Sequence, residues 1–235
     1  MKAIILCAGK GERMRPLTNT IPKPMISIAN KPVLEYLILL CKKHGITEIA
    51  INLSYLPDVI KNYFGDGKKF GVKIHYVFEK ELLGTAGALN NFKDFFRETF
   101  FVIYSDNITD VNLSRMLAYH KKKGGMGTIF VYKEDMIDQG TTPGYMVVDK
   151  DMRIEKIAPF PKIHLNSGFY ILEPKIFDYI PQGYSDFGKD VFPAIFKKEH
   201  FYAFTDDCYI KEVGQMMRYE KAKEDIESGK VRLRI

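Results

Sequence analysis

Tryptophan is absent from the 235 residues, and cysteine is nearly so, with only Cys7, Cys41 and Cys208 present. An odd, scattered set without a CxxC indicates neither a disulfide framework nor a zinc site, and reduced thiols are expected. No apolar run approaches the roughly eighteen residues that a membrane-spanning helix needs, so no membrane partner is expected. The opening Met1-Lys2-Ala3-Ile4-Ile5-Leu6 carries one charge before an apolar run too short for a signal peptide. A glycine-rich turn follows where a cleavage site would be needed, which points to a cytoplasmic location. Low-complexity segments, internal repeats and dividing linkers are also missing. Two phosphate-binding signatures fail on detail. Neither GxxxxGKS nor GxxxxGKT occurs, and the dinucleotide pattern GxGxxG breaks at Met14, which disfavours a nicotinamide oxidoreductase.

What the chain does have is apolar and basic residues. Hydrophobic residues make up 46% of it, enough at this length to bury a full core in one large α/β domain. The net charge of +6 and pI near 9.0 suit ligands carrying several phosphates and, on composition alone, suit nucleic acid equally. The densest basic run, Lys121-Lys122-Lys123 before Gly124-Gly125, reads as a solvated helix end, where cations favour the macrodipole.

Strand-like runs at Ala3 to Leu6, Glu48 to Leu53, Val72 to Phe78 and Phe100 to Tyr104 alternate with helix-like segments at Pro32 to His44, Tyr55 to Phe64 and Thr85 to Phe96. Pro32 suits a first helical turn and Gly45 a C-terminal stop. Strands joined by helices lie parallel through right-handed crossovers, with ligands at their carboxyl ends. After about Gly125 the runs at Gly127 to Lys133, Tyr145 to Val148, Arg153 to Ile157 and Leu165 to Leu172 follow one another around short turns, which predicts local hairpins. A final strand, Phe201 to Val213, is expected to lead into a charged helix from Met216 to Glu227. The expected architecture is α/β: a single Rossmann-like, doubly wound mixed sheet over residues 1–235 with a small antiparallel insertion.

The most informative stretch runs from Leu6 through Thr18 and is followed by Pro22-Lys23-Pro24. It directly follows the first strand. Gly9 and Gly11 let backbone approach a triphosphate, and successive amides in such a turn form an anion-binding concavity. Arg13 offers a planar fork to phosphate oxygens, and Lys23 supplies a compact charge on a segment stiffened by two prolines. Asp106 ends an apolar strand at Val102-Ile103-Tyr104-Ser105, where a hard oxygen ligand for Mg²⁺ would face the ligand crevice. Read alone, an Asp in that place is more often than not a turn former or helix cap.

With these residues the chain resembles the nucleotidyltransferase family that includes mannose-1-phosphate guanylyltransferases, glucose-1-phosphate thymidylyl- and uridylyltransferases and N-acetylmuramate-1-phosphate uridylyltransferases. The family's opening AGxGxRxxPxT and PKP are met by Ala8, Gly9, Gly11, Arg13, Pro16, Thr18, Pro22, Lys23 and Pro24. Glu79 through Leu89 resembles the LGTAGAL segment, Gly144 to Asp149 the YGxVxxD segment and Asn166 to Tyr170 the NxGxY segment. The resemblance implies Arg13, Lys23 and Asp106 as catalytic residues and Asp106 with Glu212 as ligands of a Mg²⁺ cofactor. It implies Leu6, Ala8, Gly9, Gly11, Glu79, Gly84, Thr85 and Ala86 on the nucleotide. Asn107, Gly144, Lys162 and Asn166 would meet the sugar phosphate. Residues 1–125 would form the nucleotide half, and 126–235 the sugar half with the C-terminal helix.

The chain departs from the pattern in three places. Ser105 replaces the usual glycine before the acid; Glu212 stands in the late WxDxG pattern, which lacks its tryptophan; and Lys162 replaces, from a shifted position, the lysine of a Glu-Lys-Pro element. The implied partners are an NTP and a sugar 1-phosphate rather than nucleic acid or membrane, and the family admits a homo-oligomer. The expected reaction gives an NDP-sugar and pyrophosphate, with GTP and mannose 1-phosphate or a related sugar foremost. Uridylyl or thymidylyl transfer to glucose 1-phosphate or an amino-sugar 1-phosphate is the alternative within the family. Outside catalysis, Glu212 and the displaced lysine leave open a non-catalytic nucleotide-sugar sensor.

Overall fold

The computed structural model describes residues 1–133, 144–159 and 164–235. In chain order its strands are β1 (Lys2–Leu6), β2 (Ser27–Ile28), β3 (Lys31–Pro32), β4 (Glu48–Leu53), β5 (Lys73–Phe78), β6 (Phe100–Tyr104), β7 (Asn107–Thr109), β8 (Gly127–Tyr132), β9 (Tyr145–Val148), β10 (Ile154–Ala158), β11 (Leu165–Leu172), β12 (Phe201–Phe204) and β13 (Ile210–Glu212). The α-helices are α1 (Val33–Lys43), α2 (Pro57–Phe64), α3 (Gly84–Gly87), α4 (Leu113–Lys123), α5 (Phe192–Ile195) and α6 (Met216–Glu227). Two compact units result: Met1–Leu82 with Ile103–Asn112 and Asp207–Ile235, and Leu83–Val102 with Leu113–Asp206.

In the first unit β1, β4 and β5 run parallel, Ile4 opposite Ala50 and Ala50 opposite His75. Ile4, Ile5, Ile49, Ala50 and Ile51 are all buried, as strands covered on both faces require. Helix α1 buries Leu34, Leu37, Ile38 and Leu40, each such side chain contributing roughly 1.5–3 kcal/mol. It stops as the sequence anticipates, with Gly45 at a φ of 73°. Met14, Ile26, Val33, Ile108, Val213 and Tyr219 form one buried cluster against which Leu233 and Ile235 pack. The short ladder of β7 with β13 sets Asn107 opposite Glu212.

In the second unit β10, β9, β11 and β8 pair antiparallel, and β12 returns to lie parallel to β8. The α/β class with a mostly parallel sheet is therefore the one expected, but two elements differ. Phe201 to Val213 is not one strand: Phe201–Phe204 pairs with β8 in the second unit and Ile210–Glu212 with β7 in the first. The intervening Asp206 and Asp207 are poor strand formers, and Asp206 is drawn into an ion pair with Arg115 at 2.5 Å. Thr85 to Phe96 is not one helix either. It is the single turn α3 followed by a 3-10 turn over Ala88–Phe92, because its glycines are held against another segment, as described below.

Asp110 ties the C-terminal segment to the first unit. Its carboxylate accepts from Tyr209 N at 2.9 Å and from Arg234 Nε at 2.7 Å, and its side chain is 5% exposed. Burial pushes the Asp110 carboxyl up, but the Arg234 and Tyr209 bonds outweigh it and hold it below the ordinary carboxylate value. A depressed carboxyl stabilises the fold above its unfolded pKa and loses that contribution as pH falls through the folded one. Asp110→Asn is therefore expected to flatten the acid limb of stability below about pH 4 by about 1 kcal/mol, since Arg234 faces solvent. Urea titrations of both proteins at pH 3 to 7 check this; parallel curves would remove the assignment.

Candidate active site

The loop after β1 is built around Gly11, whose φ of 66° few side-chain-bearing residues adopt. A Cβ there would sit 2.9 Å from Lys23 Cβ and 3.0 Å from Thr18 Cγ2. The Gly11 carbonyl accepts from Met14 N at 2.9 Å and Thr18 Oγ1 at 2.8 Å, closing the turn. Met14 is fully buried, so the neighbouring Arg13 leaves the loop from an anchored point. Gly9 is different: a Cβ there would meet nothing within 4 Å, so its open side is available to a ligand. A cavity of about 460 Å³ follows this loop, lined by Gly9, Lys10, Gly11, Glu12, Arg13, Lys23, Leu82 and Gly214.

Lys23 sits in a 3-10 turn fixed by Pro22 and Pro24, and its Nζ reaches Asp106 Oδ2 at 2.6 Å. Asp106 follows β6, and its carbonyl accepts from Val213 N at 2.7 Å, which brings β13 and Glu212 alongside. Glu212 Oε2 accepts from Arg218 Nη1 at 2.8 Å. Asn107 is buried and donates to Asp106 Oδ1 at 3.3 Å. Arg13, Lys23, Asp106, Asn107 and Glu212 thus belong to one unit, and electrostatics connects them. Burial pushes the Asp106 carboxyl up, yet the charge and hydrogen bond of Lys23, helped by Arg13, bring it below its ordinary value. Glu212 is raised, first by burial and then by Asp106; Lys23, Arg218 and Arg13 offset part of this.

Two carboxylates close enough to repel, beside a lysine, are the hard oxygen set that Mg²⁺ accepts together with phosphate oxygens and water. Two carboxylates leave the other positions around such an ion to phosphate oxygens and water. Burial pushes the nearby Cys7 thiol up to about 12, which makes it neutral at pH 7 and no nucleophile.

The remaining candidates stand as follows. Leu6 ends β1 and accepts from Ser105 Oγ at 2.5 Å, so the serine in the family's glycine position ties β6 to β1. Ala8 is buried, and Glu79 is 3% exposed at the end of β5. Asn52, which the sequence did not single out, bridges Cys7 and Glu79, accepting from Cys7 N at 2.9 Å and donating to Glu79 Oε1 at 2.8 Å. Arg218 likewise gives no signal in the sequence, because a cation on a charged helix looks like solvated surface.

In the second unit, Gly84 and Gly87 lie so close to Ser185 and Gly183 that a Cβ on either would collide with a carbonyl oxygen. The amides of Ala86 and Gly87 both donate to Ser185 O, at 2.9 and 3.1 Å. Thr85 Oγ1 donates to Asp186 Oδ2 at 2.8 Å and accepts from Phe187 N at 2.9 Å. These glycines therefore answer a close approach as well as any ligand. Asn166 N donates to Gly144 O at 3.3 Å, and the Asn166 side chain bonds Tyr170 OH and Gly168 N at 2.9 and 3.0 Å. An amide side chain has capacity for further partners beyond those two. Lys162 lies outside the described residues.

The family model described as nucleotidyl transferase matches residues 2–229. A UTP–glucose-1-phosphate uridylyltransferase of Synechocystis is 37% identical over 99% of the chain and 65% of its own length. Mannose-1-phosphate guanylyltransferase 1 of Arabidopsis thaliana is 35% identical over 93% of the chain and 63% of its own length. The chain thus spans less than two thirds of these curated relatives. HddC from Yersinia pseudotuberculosis, solved in complex with GMP-PN, superposes with a TM-score of 0.82 at 27% identity, over 96% of this chain and 99% of that one.

Proposed function

Since this chain belongs to the nucleotidyl transferase family, we propose that it joins an NTP to a sugar 1-phosphate and releases pyrophosphate, with Mg²⁺ as cofactor. The observation that carries this reading is the meeting of Lys23 with Asp106 at 2.6 Å, beside Glu212 and Arg13, next to the cavity under the Gly9–Gly11 loop. An oxygen of the sugar phosphate forms the new bond to the α-phosphorus as the bond from that phosphorus to the α–β bridging oxygen breaks. Pyrophosphate takes the electron pair. The attacking oxygen is already anionic, so no general base is needed, and the work is to hold two repelling anions in line.

Arg13 and the loop amides grip the leaving phosphates, and Lys23 lies against the phosphate undergoing substitution. Asp106 and Glu212 would hold the metal, whose positive charge neutralises phosphate oxygens as charge shifts between them. Glu79, kept in place by Asn52, and Leu6, Ala8, Gly84, Thr85 and Ala86 are assigned to the nucleotide. Asn107, Gly144, Lys162 and Asn166 are assigned to the sugar phosphate. Residues 1–235 are assigned to one nucleotidyltransferase domain with 1–125 on the nucleotide side; within 126–235 the segment from Asp207 on, which carries Glu212 and falls in the first unit with Arg13, Lys23 and Asp106, serves the metal rather than the sugar. Its three free cysteines suit a reducing, cytoplasmic setting.

GTP with mannose 1-phosphate or a related sugar is the favoured pair, supported by the guanylyltransferase relatives and by HddC, whose solved complex contains GMP-PN. The 37% identity to a uridylyltransferase supports UTP with glucose 1-phosphate as the second reading. A matrix of four NTPs against hexose, heptose and amino-sugar 1-phosphates, read by pyrophosphate release, is expected to peak at GTP with a mannose-type sugar. A peak at UTP with glucose 1-phosphate selects the second reading. Binding without release for every pair selects a nucleotide-sugar sensor and ends the enzymatic one.

A further inference from the structure

The acid at position 212 is a glutamate where the family pattern has aspartate, and its extra methylene adds a torsion that must be fixed before the carboxylate can hold a ligand at short reach. Contacts within the first unit fix it. Glu212 Oε2 is held by Arg218 Nη1 at 2.8 Å, with the two side chains only 19% and 14% exposed. A Cβ at Gly214 would collide with Glu212 Oε1 and stand 2.6 Å from Lys23 Nζ, so the glycine makes room for that oxygen beside the lysine. Arg218 itself is supplied from a firm base. The next residue, Tyr219, is buried in the cluster with Met14 and Val213, its N–H donates to Gln215 O at 2.9 Å, and its hydroxyl donates to Ser27 O at 2.9 Å. Neither Arg218 nor Glu212 lines the cavity, whereas Lys23 and Gly214 do.

We propose that Arg218 is a positioning residue: it clamps one oxygen of Glu212 so that the other is presented on the Lys23 side, where phosphate and metal would meet. It does for a glutamate what a shorter side chain does for aspartate. A guanidinium suits this task because its rigid fork sets direction as well as charge, which an ammonium does not. The inference rests on the nucleotidyl-transfer reading, but it concerns a contact inside the protein that can be examined separately.

Two measurements on the full chain test it. In pyrophosphate release, Arg218→Met should lower kcat by about 10–100-fold, with the KM for sugar phosphate little changed, the usual loss when a group supporting a metal ligand is removed. Arg218→Lys should recover only part of the loss. Because Arg218 acts through Glu212, the double variant with Glu212→Gln should be no slower than Glu212→Gln alone. In the second measurement, Mn²⁺ is titrated into the protein with a saturating non-hydrolysable GTP analogue, against the analogue alone, and free Mn²⁺ is read by electron paramagnetic resonance. Arg218→Met should bind Mn²⁺ about 10–100-fold more weakly than the parent. If Arg218→Met fails to fold, Arg218→Lys carries both measurements. Losses that multiply in the cycle, or equal Mn²⁺ affinities in parent and variant, would overturn the proposal. If the parent releases no pyrophosphate from any substrate pair, the reaction reading fails while the Mn²⁺ comparison still decides the role of Arg218.

Discussion

Asp106→Asn is expected to lower pyrophosphate release by roughly two to three orders of magnitude, the usual scale for loss of a preorganised charge-stabilising group. Asparagine keeps the shape of the side chain and can still face Lys23 Nζ, which lies 2.6 Å from Oδ2 in the parent. What it lacks is the negative charge, and two consequences follow. Lys23 loses its counter-ion, so its charge is no longer balanced before the phosphates arrive. Glu212 loses the repulsion from Asp106 that helps to raise its carboxyl, so it should ionise more readily and hold Arg218 at least as well. The fold should therefore survive and the defect should lie in turnover, which thermal melting run beside the rate assay will separate. Full activity of Asp106→Asn at saturating Mg²⁺ would show that the metal and catalytic assignments are wrong.

Gly87→Ala is expected to destabilise the chain by about 3 kcal/mol, from overpacking together with strained or broken hydrogen bonds to Ser185. Helix propensity alone argues for the opposite sign, because alanine is favoured over glycine within a helix by about 1 kcal/mol. The collision decides. A Cβ at Gly87 would run into the Gly183 carbonyl and stand 3.2 Å from Ser185 N, and both are backbone atoms that no rotamer change moves aside. The same displacement would stretch the bonds from the Ala86 and Gly87 amides to Ser185 O. Urea unfolding gives the difference directly, with Gly9→Ala as control, since a Cβ at Gly9 meets nothing within 4 Å. An unchanged midpoint for Gly87→Ala would mean that the close approach of Gly183 and Ser185 to Gly87 is not a feature of the folded protein.

Both glycine positions carry the same letter in a family-like motif, yet they do different things. At Gly9 the missing side chain leaves room beside the cavity; at Gly87 it leaves room for another stretch of the same chain. The motif alone does not separate these uses, because the partner of Gly87 lies about a hundred positions later. Arg218 escaped notice for a related reason. Along α6 it is one charge among many, and charge patterning does not say that the first turn of α6 brings it back onto Glu212, six positions earlier. Asn52 is a polar residue inside an apolar strand, a signal that a buried hydrogen-bonding task was waiting, although neither Cys7 nor Glu79 could be named as its partner from spacing. The single strand expected over Phe201 to Val213 failed because strand propensity does not say which neighbour a strand will pair with.

By itself the sequence determined the local pieces: the glycine turn after β1, the lysine stiffened by Pro22 and Pro24, the stop at Gly45 and the acid after β6. Each depends on torsional preferences or periodicity within a few residues, which the order of amino acids states directly. Only the tertiary structure decided which charges meet. Lys23 and Asp106 are 83 positions apart and Asp106 and Val213 over a hundred, so their contacts depend on strand order and register. Those are set by burial of the whole apolar set at once, a collective property that no local window contains.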